Sequence, residues 1–382
     1  MRIAINTRFL LPNRRLEGIG WYTHELCREL VLAHPEDEFF FFFDRPYDPV
    51  FLFADNITPV VIGPPARDPI TWLWWFEISV KRALERHRIN VFFSPDNYAC
   101  LRTQVPTVLV CHDLGYEHFP EQVPLKGRYY YKHFFPRYLR RAEAIISISE
   151  FTKRDLTQRY GLPSEKITVA PNGCRPAFRQ VSEVKCEAFR KRTTNGTPYF
   201  FYVGAIQPRK NLPRLVRAFD QFKSNTGSKT KLVLGGRMAW QTGELKLAIE
   251  RSRYRTDIVL PGFISEEELP IWMGAARAFV YPSLFEGFGL PVLESMYAEV
   301  PVLTSKVSSL PEVAGEAALL VDPESIPSIA DGLSQLDADS QLRQLLVEKG
   351  KRQREKFSWA RAAEIVYQKL ENPTGTNSNG VS

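Results

Sequence analysis

Cysteine is scarce in this sequence of 382 residues, and the five cysteines show no paired spacing. They are Cys27, Cys100, Cys111, Cys174 and Cys186. This pattern argues against a disulfide-stapled scaffold and favours a reducing compartment. Long apolar runs are missing too. The apolar run at 39–43, for example, is far shorter than the ~20 residues that a membrane-spanning helix needs. We therefore expect no segment that crosses a bilayer.

Signals for export and for nucleic-acid binding are also absent. Residues 1–6 have the pattern of a strand and lack the apolar core of a signal peptide. The chain has no zinc-ligand spacing, no RNA-binding signature and no Lys/Arg tract, so we expect no nucleic-acid partner. We expect a cytoplasmic protein, either soluble or attached peripherally at the inner face of the cell membrane.

The sequence does contain enough apolar material for two globular domains. It is 44% hydrophobic and 24% charged, and it is too long to fold around one core. The net charge of +7 favours an anionic partner. That partner is either a phosphate-bearing ligand or a membrane surface.

The first half of the chain alternates apolar runs with helical patterns. Strands are predicted at 2–10, 38–44, 57–62, 91–94, 107–113, 144–149 and 166–170. Helices are predicted at 21–33, 72–88 and 150–160, the last of them capped by Ser149. Continuous apolar strands separated by helices indicate a parallel, doubly wound sheet.

The same pattern restarts in the second half, with a polar stretch between the halves. Strands are predicted at 199–205, 231–234, 257–260, 278–283 and 300–304, and helices at 212–223 and 265–276. We predict domains over 1–172 and 198–356, a linker over 173–197, a C-terminal helix over 357–372 that packs back on the first domain, and a disordered tail over 373–382. Two such domains imply a cleft between them.

The stretch 286–294 (EGFGLPVLE) carries two carboxylates around a glycine-rich turn. It follows an apolar strand, and a helix is predicted to begin at about Leu290, with Pro291 in its first turn. The backbone N–H groups of 288–290 and the positive end of that helix suit an anion. Glu286 and Glu294 suit the hydroxyls of a sugar or a ribose. We therefore predict a pocket for a nucleotide sugar.

Basic and aromatic residues alternate over 128–141 (RYYYKHFFPRYLRR), and the stretch 72–76 (WLWWF) is also aromatic. Two interpretations stay open. Such a face can rest on anionic lipid headgroups, which would suit a lipid-linked or polymeric acceptor. Alternatively, the aromatic residues belong to the core and the arginines form its solvated rim.

Four motifs occur in an order and at a spacing that resemble the family 4 glycosyltransferases, retaining enzymes of the GT-B fold. They are 204–211 (GAIQPRKN), 261–263 (PGF), 286–294 (EGFGLPVLE) and 309–313 (SLPEV). The resemblance covers nearly the whole chain and implies two Rossmann-like, doubly wound α/β domains that face a central cleft. It implies that the carboxyl domain binds the nucleotide sugar and the amino domain the acceptor. It also implies that no metal and no cofactor besides the donor substrate is required.

By this resemblance, Lys210 contacts the donor diphosphate. Relatives often carry a second cation directly after the glycine, where this chain has Ala205, so we assign that role to Arg209. Glu286 is expected to contact hydroxyls of the transferred sugar, and Glu294 the ribose hydroxyls.

The remaining donor contacts implied by the family lie in both domains. They are Phe288, Gly289 and Leu290 at the sugar and phosphate, Gly262 and Phe263 at the base, and Gly18 at a phosphate. Many relatives have Gly-Gly where this chain has Glu17 and Gly18. His112 follows a buried strand and corresponds to a family histidine near the donor sugar, while Asp113 either orients that imidazole or caps the next turn.

The expected function is therefore a retaining, metal-independent transfer of a hexose to a hydroxyl of a glycan or lipid-linked acceptor in cell-surface polysaccharide synthesis. UDP-glucose and GDP-mannose are both open as donors. The expected catalytic residues are His112, Glu286, Arg209 and Lys210. The alternatives are a sugar-nucleotide epimerase of the same fold and a non-catalytic scaffold that binds nucleotide sugars. A nicotinamide-dependent dehydrogenase is disfavoured, because the first strand is not followed by Gly-x-Gly-x-x-Gly.

Overall fold

The structure is a computed structural model that describes residues 1–11, 16–239 and 242–374. Its chain divides into two compact units. Unit 1 contains Met1–Gly173 together with the chain from Ser358 onward, and unit 2 contains Cys174–Phe357. Most of the tail that we predicted to be disordered, from residue 375 on, lies outside the described residues.

Unit 1 is built on a seven-stranded parallel sheet of order β3-β2-β1-β4-β5-β6-β7. Its strands are β1 Arg2–Asn6, β2 Glu38–Phe43, β3 Ile57–Val61, β4 Val91–Ser94, β5 Thr107–Cys111, β6 Ala144–Ser147 and β7 Ile167–Val169. The central strands are apolar without alternation, as in the EFFFFF sequence of β2, because helices cover both faces of such a sheet. The strand order reverses between β1 and β4, which is where doubly wound folds bind ligands.

Six helices of unit 1 precede residue 174. They are α1 Gly18–Ala33, α2 Pro69–Trp74, α3 Lys81–Arg86, α4 Gly115–His118, α5 Leu125–Arg141 and α6 Glu150–Tyr160. The π-helical segment Trp75–Val80 joins α2 to α3, so the helix predicted at 72–88 is one helical stretch with a widened middle. Strand β1 is shorter than the predicted 2–10, because the chain turns after Thr7, whose carbonyl accepts from the N–H of Leu10 at 2.9 Å.

Unit 2 has a six-stranded parallel sheet of order β10-β9-β8-β11-β12-β13. Its strands are β8 Tyr199–Val203, β9 Lys231–Gly235, β10 Ile258–Gly262, β11 Ala278–Tyr281, β12 Val302–Ser305 and β13 Ala318–Val321. Its helices are α7 Glu183–Thr194, α8 Leu212–Thr226, α9 Gly243–Arg251, α10 Leu269–Gly274, α11 Leu290–Tyr297, α12 Leu310–Ala314, α13 Ile326–Ala338 and α14 Ser340–Arg354. The order reverses between β8 and β11.

The stretch predicted as a linker, 173–197, carries α7 and clusters with unit 2. Its composition is polar, but Phe189 is buried and packs edge-on against Trp272 of α10, with ring centroids 4.9 Å apart. One apolar side on a short polar helix was too weak a signal to identify from the sequence.

The last described helix, α15 Trp359–Glu371, belongs to unit 1 and packs against α1. The Trp359 ring lies 5.7 Å from the Tyr22 ring of α1. The Tyr367 hydroxyl donates to Asp37 Oδ2 at 2.7 Å. A Cβ on Gly173 would lie only 2.3 Å from the Trp359 backbone nitrogen. Glycine at position 173 therefore lets these two segments of unit 1 approach closely.

A buried ion pair stands beside the strand-order reversal of unit 1. Arg8 Nε, after β1, donates to Asp96 Oδ2, after β4, at 2.6 Å. The guanidinium carbon lies 4.2 Å from the Tyr98 ring centroid and 4.6 Å from that of Phe9. Aromatic faces and one carboxylate therefore surround this cation.

No helix among the described residues is both long and apolar enough to span a membrane.

Candidate functional site

The centre of the candidate site in unit 2 is a buried pair between Lys210 and Glu286. Lys210 Nζ lies 2.7 Å from Glu286 Oε1 and donates to the Tyr281 hydroxyl at 2.6 Å. Lys210 follows β8, Tyr281 ends β11 and Glu286 follows it, so the group sits at the carboxyl edge where the strand order reverses. The structure thus brings together the two residues predicted for diphosphate and sugar.

The charge of Glu286 is maintained despite its burial. Burial by itself raises the pKa of this carboxyl group, but the charges of Lys210 and Arg209 outweigh that effect and leave the pKa below its ordinary value. Arg209 is therefore close enough to act on Glu286 electrostatically. Burial, together with Glu286, raises the pKa of Tyr281. Glu286 is an anion and Tyr281 a neutral hydroxyl near neutral pH.

The loop that carries Lys210 is hydrogen-bonded to the segments that follow β11 and β13. Asn211 adopts a left-handed conformation with φ 62°, and its Nδ2 donates to the Pro282 carbonyl at 3.0 Å and to the Pro323 carbonyl at 2.6 Å. The Leu284 N–H donates to the Arg209 carbonyl at 2.9 Å. These bonds fix the ammonium against β11. We did not predict a role for Asn211, although it ends the motif 204–211.

Two serines hold the turn that presents Glu286. The Glu286 N–H donates to Ser308 Oγ at 3.0 Å, and Ser309 Oγ donates to the carbonyls of Glu286 and Phe288 at 2.8 and 3.1 Å. The motif 309–313 therefore supports the turn from below. Its position in the sequence signalled importance but not this role.

Helix α11 begins at Leu290, as predicted, and Gly289 precedes it with φ 101°. A Cβ at Gly289 would lie 2.7 Å from Leu310 Cδ2, so this position requires glycine both for its conformation and for space. No side chain caps this helix among the described residues, which leaves the positive helix end facing the space above β11. Phe288 is buried, so only its backbone is suited to meet a ligand.

Glu294 lies in the second turn of α11 and is 2% exposed. Its Oε1 accepts from Arg175 Nε at 2.6 Å. Glu286 and Glu294 thus flank the same helix start, but each already has a cation. The partner of Glu294 follows the unit boundary, 119 residues earlier, and we did not predict it.

Gly262 ends β10 and Phe263 follows it, on the side of the sheet beyond β9. Gly262 has φ 76° and its carbonyl accepts from the Gly236 N–H at 2.8 Å. Phe263 is an exposed aromatic residue. These two residues lie at the same carboxyl edge as Lys210, two strands away.

In unit 1, the imidazole of His112 follows β5 and is fixed by β4. Its Nε2 lies 2.7 Å from the Pro95 carbonyl, and because a carbonyl can only accept, Nε2 carries the proton. The edge of Tyr22 packs on the ring at 4.7 Å. Burial lowers the pKa of His112, opposed by the Pro95 carbonyl and the charges of Asp113 and Asp96. The ring is a neutral imidazole with an acceptor at Nδ1.

Asp113 Oδ1 accepts from the Gly115 N–H at 2.9 Å and so caps the next turn. Gly18 begins α1, but a Cβ there would meet nothing within 4 Å. At Gly20, by contrast, a Cβ would lie 2.8 Å from the Phe9 carbonyl oxygen. The steric need for glycine at the start of α1 is therefore at Gly20. Residues 12–15 of the loop before α1 lie outside the described residues.

The aromatic residues of 128–141 fall on helix α5 and divide between core and surface. Tyr130, Phe135 and Tyr138 are buried, in agreement with the core interpretation. Leu125 and Tyr129 are exposed at 78% and 65%. The core interpretation is confirmed for the three buried residues, and the lipid interpretation stays a prediction for the exposed ones.

One group of potential metal ligands occurs among the described residues, at His34, Glu36 and Asp37, with ligand atoms within 4.8 Å of one another. It lies at the amino edge of the unit 1 sheet, before β2, and not beside His112. Asp37 already accepts from Tyr367 and pairs with the Met1 amine.

Two family models match the chain. The model of "Glycosyl transferases group 1" matches residues 185–353, and that of "Glycosyltransferase Family 4" matches residues 16–178. The chain is also 29% identical over 361 residues to the O-antigen chain mannosyltransferase B of Escherichia coli, which covers 90% of this chain and 93% of that protein. Together these matches span both units.

Solved structures match the same length of chain. Sucrose-phosphate synthase from Thermosynechococcus elongatus has a TM-score of 0.77 at 19% identity, covering 97% of this chain and 98% of that one. The Anabaena protein HepE, solved with UDP-glucose, has a TM-score of 0.73 at 17% identity, covering 97% and 99%. At these identities the likeness concerns the fold.

Proposed function

The chain belongs to the group 1 glycosyltransferases of family 4 and has their GT-B fold, and on this premise we propose that it transfers mannose from GDP-mannose to a polysaccharide acceptor. We propose retention of the sugar configuration and no requirement for a metal. The observation that carries the proposal is the buried Lys210–Glu286 pair, 2.7 Å apart, beside the uncapped start of α11. Mannose is favoured over glucose because a relative whose match covers 90% of the chain is a mannosyltransferase.

The Lys210–Glu286 pair has the two charges that a nucleoside-diphosphate sugar needs. Before the donor binds, the ammonium and the carboxylate neutralise each other, so neither charge is buried alone. When the nucleotide sugar binds, its phosphate accepts a hydrogen bond from the Lys210 ammonium, and a hydroxyl of the sugar donates a hydrogen bond to the Glu286 carboxylate. One ion pair is thereby exchanged for two charge-assisted hydrogen bonds.

In the transfer itself, the bond between the anomeric carbon and the leaving phosphate oxygen breaks, and the bond to the acceptor oxygen forms on the same face. The acceptor proton moves to the leaving phosphate. Charge grows on the diphosphate as this bond breaks, and Lys210, Arg209 and the positive end of α11 stabilise it. Neutral His112 accepts a hydrogen bond from a sugar hydroxyl at Nδ1, so it positions the sugar and does not act as a base.

The test compares donors and products. We expect GDP-mannose to raise the melting temperature more than UDP-glucose or ADP-glucose, and to support transfer in the presence of EDTA. An anomeric NMR signal of the product reports retention or inversion. Selective stabilisation by UDP-glucose would contradict the choice of mannose. Epimerised donor without acceptor would identify an epimerase, and binding without transfer or hydrolysis would identify a scaffold.

We propose further that unit 1 meets an anionic membrane through a surface that we name the α2–α5 patch. It consists of Ile70, Trp74, Leu125 and Tyr129, which are exposed at 78%, 54%, 78% and 65%. Helices α2 and α5 pack together through Trp72 and Tyr130, with ring centroids 5.2 Å apart. Four large apolar side chains on one pair of packed helices favour insertion between lipid headgroups.

The charges around the α2–α5 patch suit the same partner. Exposed cations accompany it, namely Arg67, Lys126, Lys132, Arg137 and Arg140. Each basic residue near an anionic surface contributes about 1 kcal/mol at low salt. A lipid-linked acceptor would then be reached at the membrane.

Vesicle sedimentation tests this surface. We expect the protein to sediment with phosphatidylglycerol vesicles at low salt and not with phosphatidylcholine vesicles. The vesicle affinity of the double variant Trp74→Ser, Leu125→Ser should fall about tenfold or more, since each apolar side chain buried in the membrane contributes ~1.5–3 kcal/mol. Leu345→Ser is the matched control, because Leu345 is 52% exposed on α14 of unit 2. Equal binding by wild type and the double variant would exclude the patch.

A further inference from the structure

Arg175 lies just after the boundary between the units and forms an ion pair with a residue 119 positions later in the sequence of unit 2. Its Nε donates to Glu294 Oε1 at 2.6 Å, and its guanidinium carbon lies 4.9 Å from the centroid of the buried Phe178 ring. The Arg175 side chain is 13% exposed and that of Glu294 is 3% exposed. Contacts from two sides thus fix the direction of the guanidinium.

Glu294 is buried, and Arg175 is the cation that compensates its carboxylate. A carboxylate with so little exposure is stable as an anion only with a nearby cation or with several donors. The structure describes no hydrogen bond from a protein group to its second oxygen, Oε2. Arg175 also stays charged: burial lowers its pKa, but Glu294 outweighs this effect, so the pKa lies above its ordinary value.

We propose that Arg175 is a positioning residue for the nucleotide. By holding Oε1, it turns Oε2 of Glu294 toward the ribose, where this oxygen accepts from the ribose hydroxyls. This inference rests on the proposed function, because it takes Glu294 as the residue that meets the ribose. It adds a specificity role to a residue outside the four motifs that carry the family resemblance.

Lysine cannot replace Arg175 fully in this arrangement. The planar guanidinium donates through Nε along a fixed direction while its face packs on Phe178, whereas an ammonium has neither the plane nor the fixed direction. Arg175→Lys should therefore keep the charge of Glu294 but loosen its orientation. Arg175→Met removes the charge and keeps most of the side-chain volume.

The experiment measures selectivity for the ribose hydroxyls by calorimetry, with GDP and 2′,3′-dideoxy-GDP as probes. We expect the wild type to bind GDP at least about tenfold more tightly than the dideoxy analogue, because hydrogen bonds to a charged acceptor are lost. In Arg175→Met this ratio should fall to about one to three, and Arg175→Lys should lie between the two. The ratio for Glu294→Gln should fall to the same range. The ratio for the double variant Arg175→Met, Glu294→Gln should fall no further.

The matched control is Lys223→Met, which breaks another ion pair of unit 2, one in which the lysine is buried and the carboxylate is partly exposed. Lys223 Nζ lies 2.7 Å from Asp257 at the amino edge of the sheet, away from the site. The melting temperature of Lys223→Met should fall, while its ratio of GDP affinity to dideoxy-GDP affinity stays that of the wild type. Loss of stability alone therefore does not mimic the predicted effect.

Two outcomes overturn the inference in distinguishable ways. If Arg175→Met is less stable but keeps the wild-type affinity ratio, Arg175 only stabilises the packing of the boundary segment on α11, and the proposed function stands. If the wild type binds GDP and its dideoxy analogue equally, and UDP and dideoxy-UDP equally, the ribose role of Glu294 fails and the inference fails with it. If it binds no nucleotide at all, the proposed function fails.

Discussion

Each unit places one buried ion pair at the carboxyl edge of its sheet, beside the point where the strand order reverses. In unit 1 the pair is Arg8–Asp96, at 2.6 Å, and in unit 2 it is Lys210–Glu286, at 2.7 Å. The strand topology, burial and distance are alike, but the surroundings differ. Aromatic rings enclose Arg8, whereas a glycine turn and an uncapped helix start lie beside Glu286.

Under the proposed function, this difference separates a pair that stabilises the fold from a pair that receives a ligand. Aromatic faces satisfy the Arg8 cation within the protein and leave little access to another molecule. The glycine turn and the helix start do the opposite, since they bring the main chain close to a ligand without side chains in the way. We therefore base the proposed site on the surroundings of a buried charge and not on its presence alone.

The largest effect is expected for Lys210→Met. This variant leaves the Glu286 carboxylate buried without its bonded cation, so we expect unfolding to become easier by about 3–5 kcal/mol. Transfer should fall by at least about 10²–10³, because stabilisation of the diphosphate charge is lost. Urea titration and a transfer assay measure the two effects. Adding Glu286→Gln should restore stability but not transfer; unchanged turnover of Lys210→Met would exclude its role at the diphosphate.

Arg8→Met is the corresponding change in unit 1. It leaves Asp96 buried and unpaired, so we expect a similar loss of stability, about 3–5 kcal/mol. Donor affinity, measured by calorimetry at a temperature where the variant is folded, should be that of the wild type. A weakened donor affinity would break the contrast between the two pairs and would assign the unit 1 pair to the site as well.

A smaller effect is expected for His112, the neutral group of the proposed site. Transfer by His112→Ala should fall about ten- to a hundredfold through misplacement of the sugar. The pKa of His112 is lowered on folding, so its neutral form contributes stability above the ordinary histidine pKa of about 6.5, and this contribution is lost as the pH falls. Wild-type stability should therefore decline between that pH and the lowered pKa, whereas activity should decline only as the pH falls through the lowered pKa. His112→Gln should lack this part of both declines. Identical pH profiles would contradict the neutral role.

The smallest effect distinguishes two tyrosines inside unit 2. Tyr202 and Tyr281 are both buried and stack with ring centroids 5.7 Å apart, but the Tyr202 hydroxyl has no hydrogen-bond partner among the described residues. Tyr281→Phe loses the bond from Lys210 and should cost about 1.5–3 kcal/mol. Tyr202→Phe should be neutral or stabilise by up to about 1 kcal/mol. Urea titration compares them; equal losses would show that hydrogen bonding is not the difference.

Much of this fold could be predicted from the sequence because its strands are buried on both faces. Continuous apolar runs such as β2 and β4 have no other explanation in a chain that alternates strands with helices. Helix α6 and its Ser149 cap were predicted with the observed limits, since the cap is local chemistry. Strand β13 was not predicted, because four residues of ordinary apolar character carry little periodic signal.

The site was less predictable for a physical reason. Motifs name the residues that meet a ligand, and their order along the chain placed Lys210 and Glu286 at one edge of a sheet. The groups that hold them depend on tertiary contacts over long separations, such as Arg175 with Glu294, or the Pro95 carbonyl with His112. A backbone carbonyl has no residue type, so no sequence pattern identifies it.

The division of the chain has a consequence for how the protein is made. Unit 1 is discontinuous: its sheet comes from Met1–Gly173, but α15, which covers α1, follows all of unit 2. During synthesis the apolar side of α1 therefore emerges roughly 325 residues before the helix that covers it, a delay of about 15–65 s at about 5–20 residues per second. Unit 2 is continuous and can fold while the ribosome is still working. Unit 2 is thus expected to be complete before unit 1, which stays open to chaperones until α15 has been made.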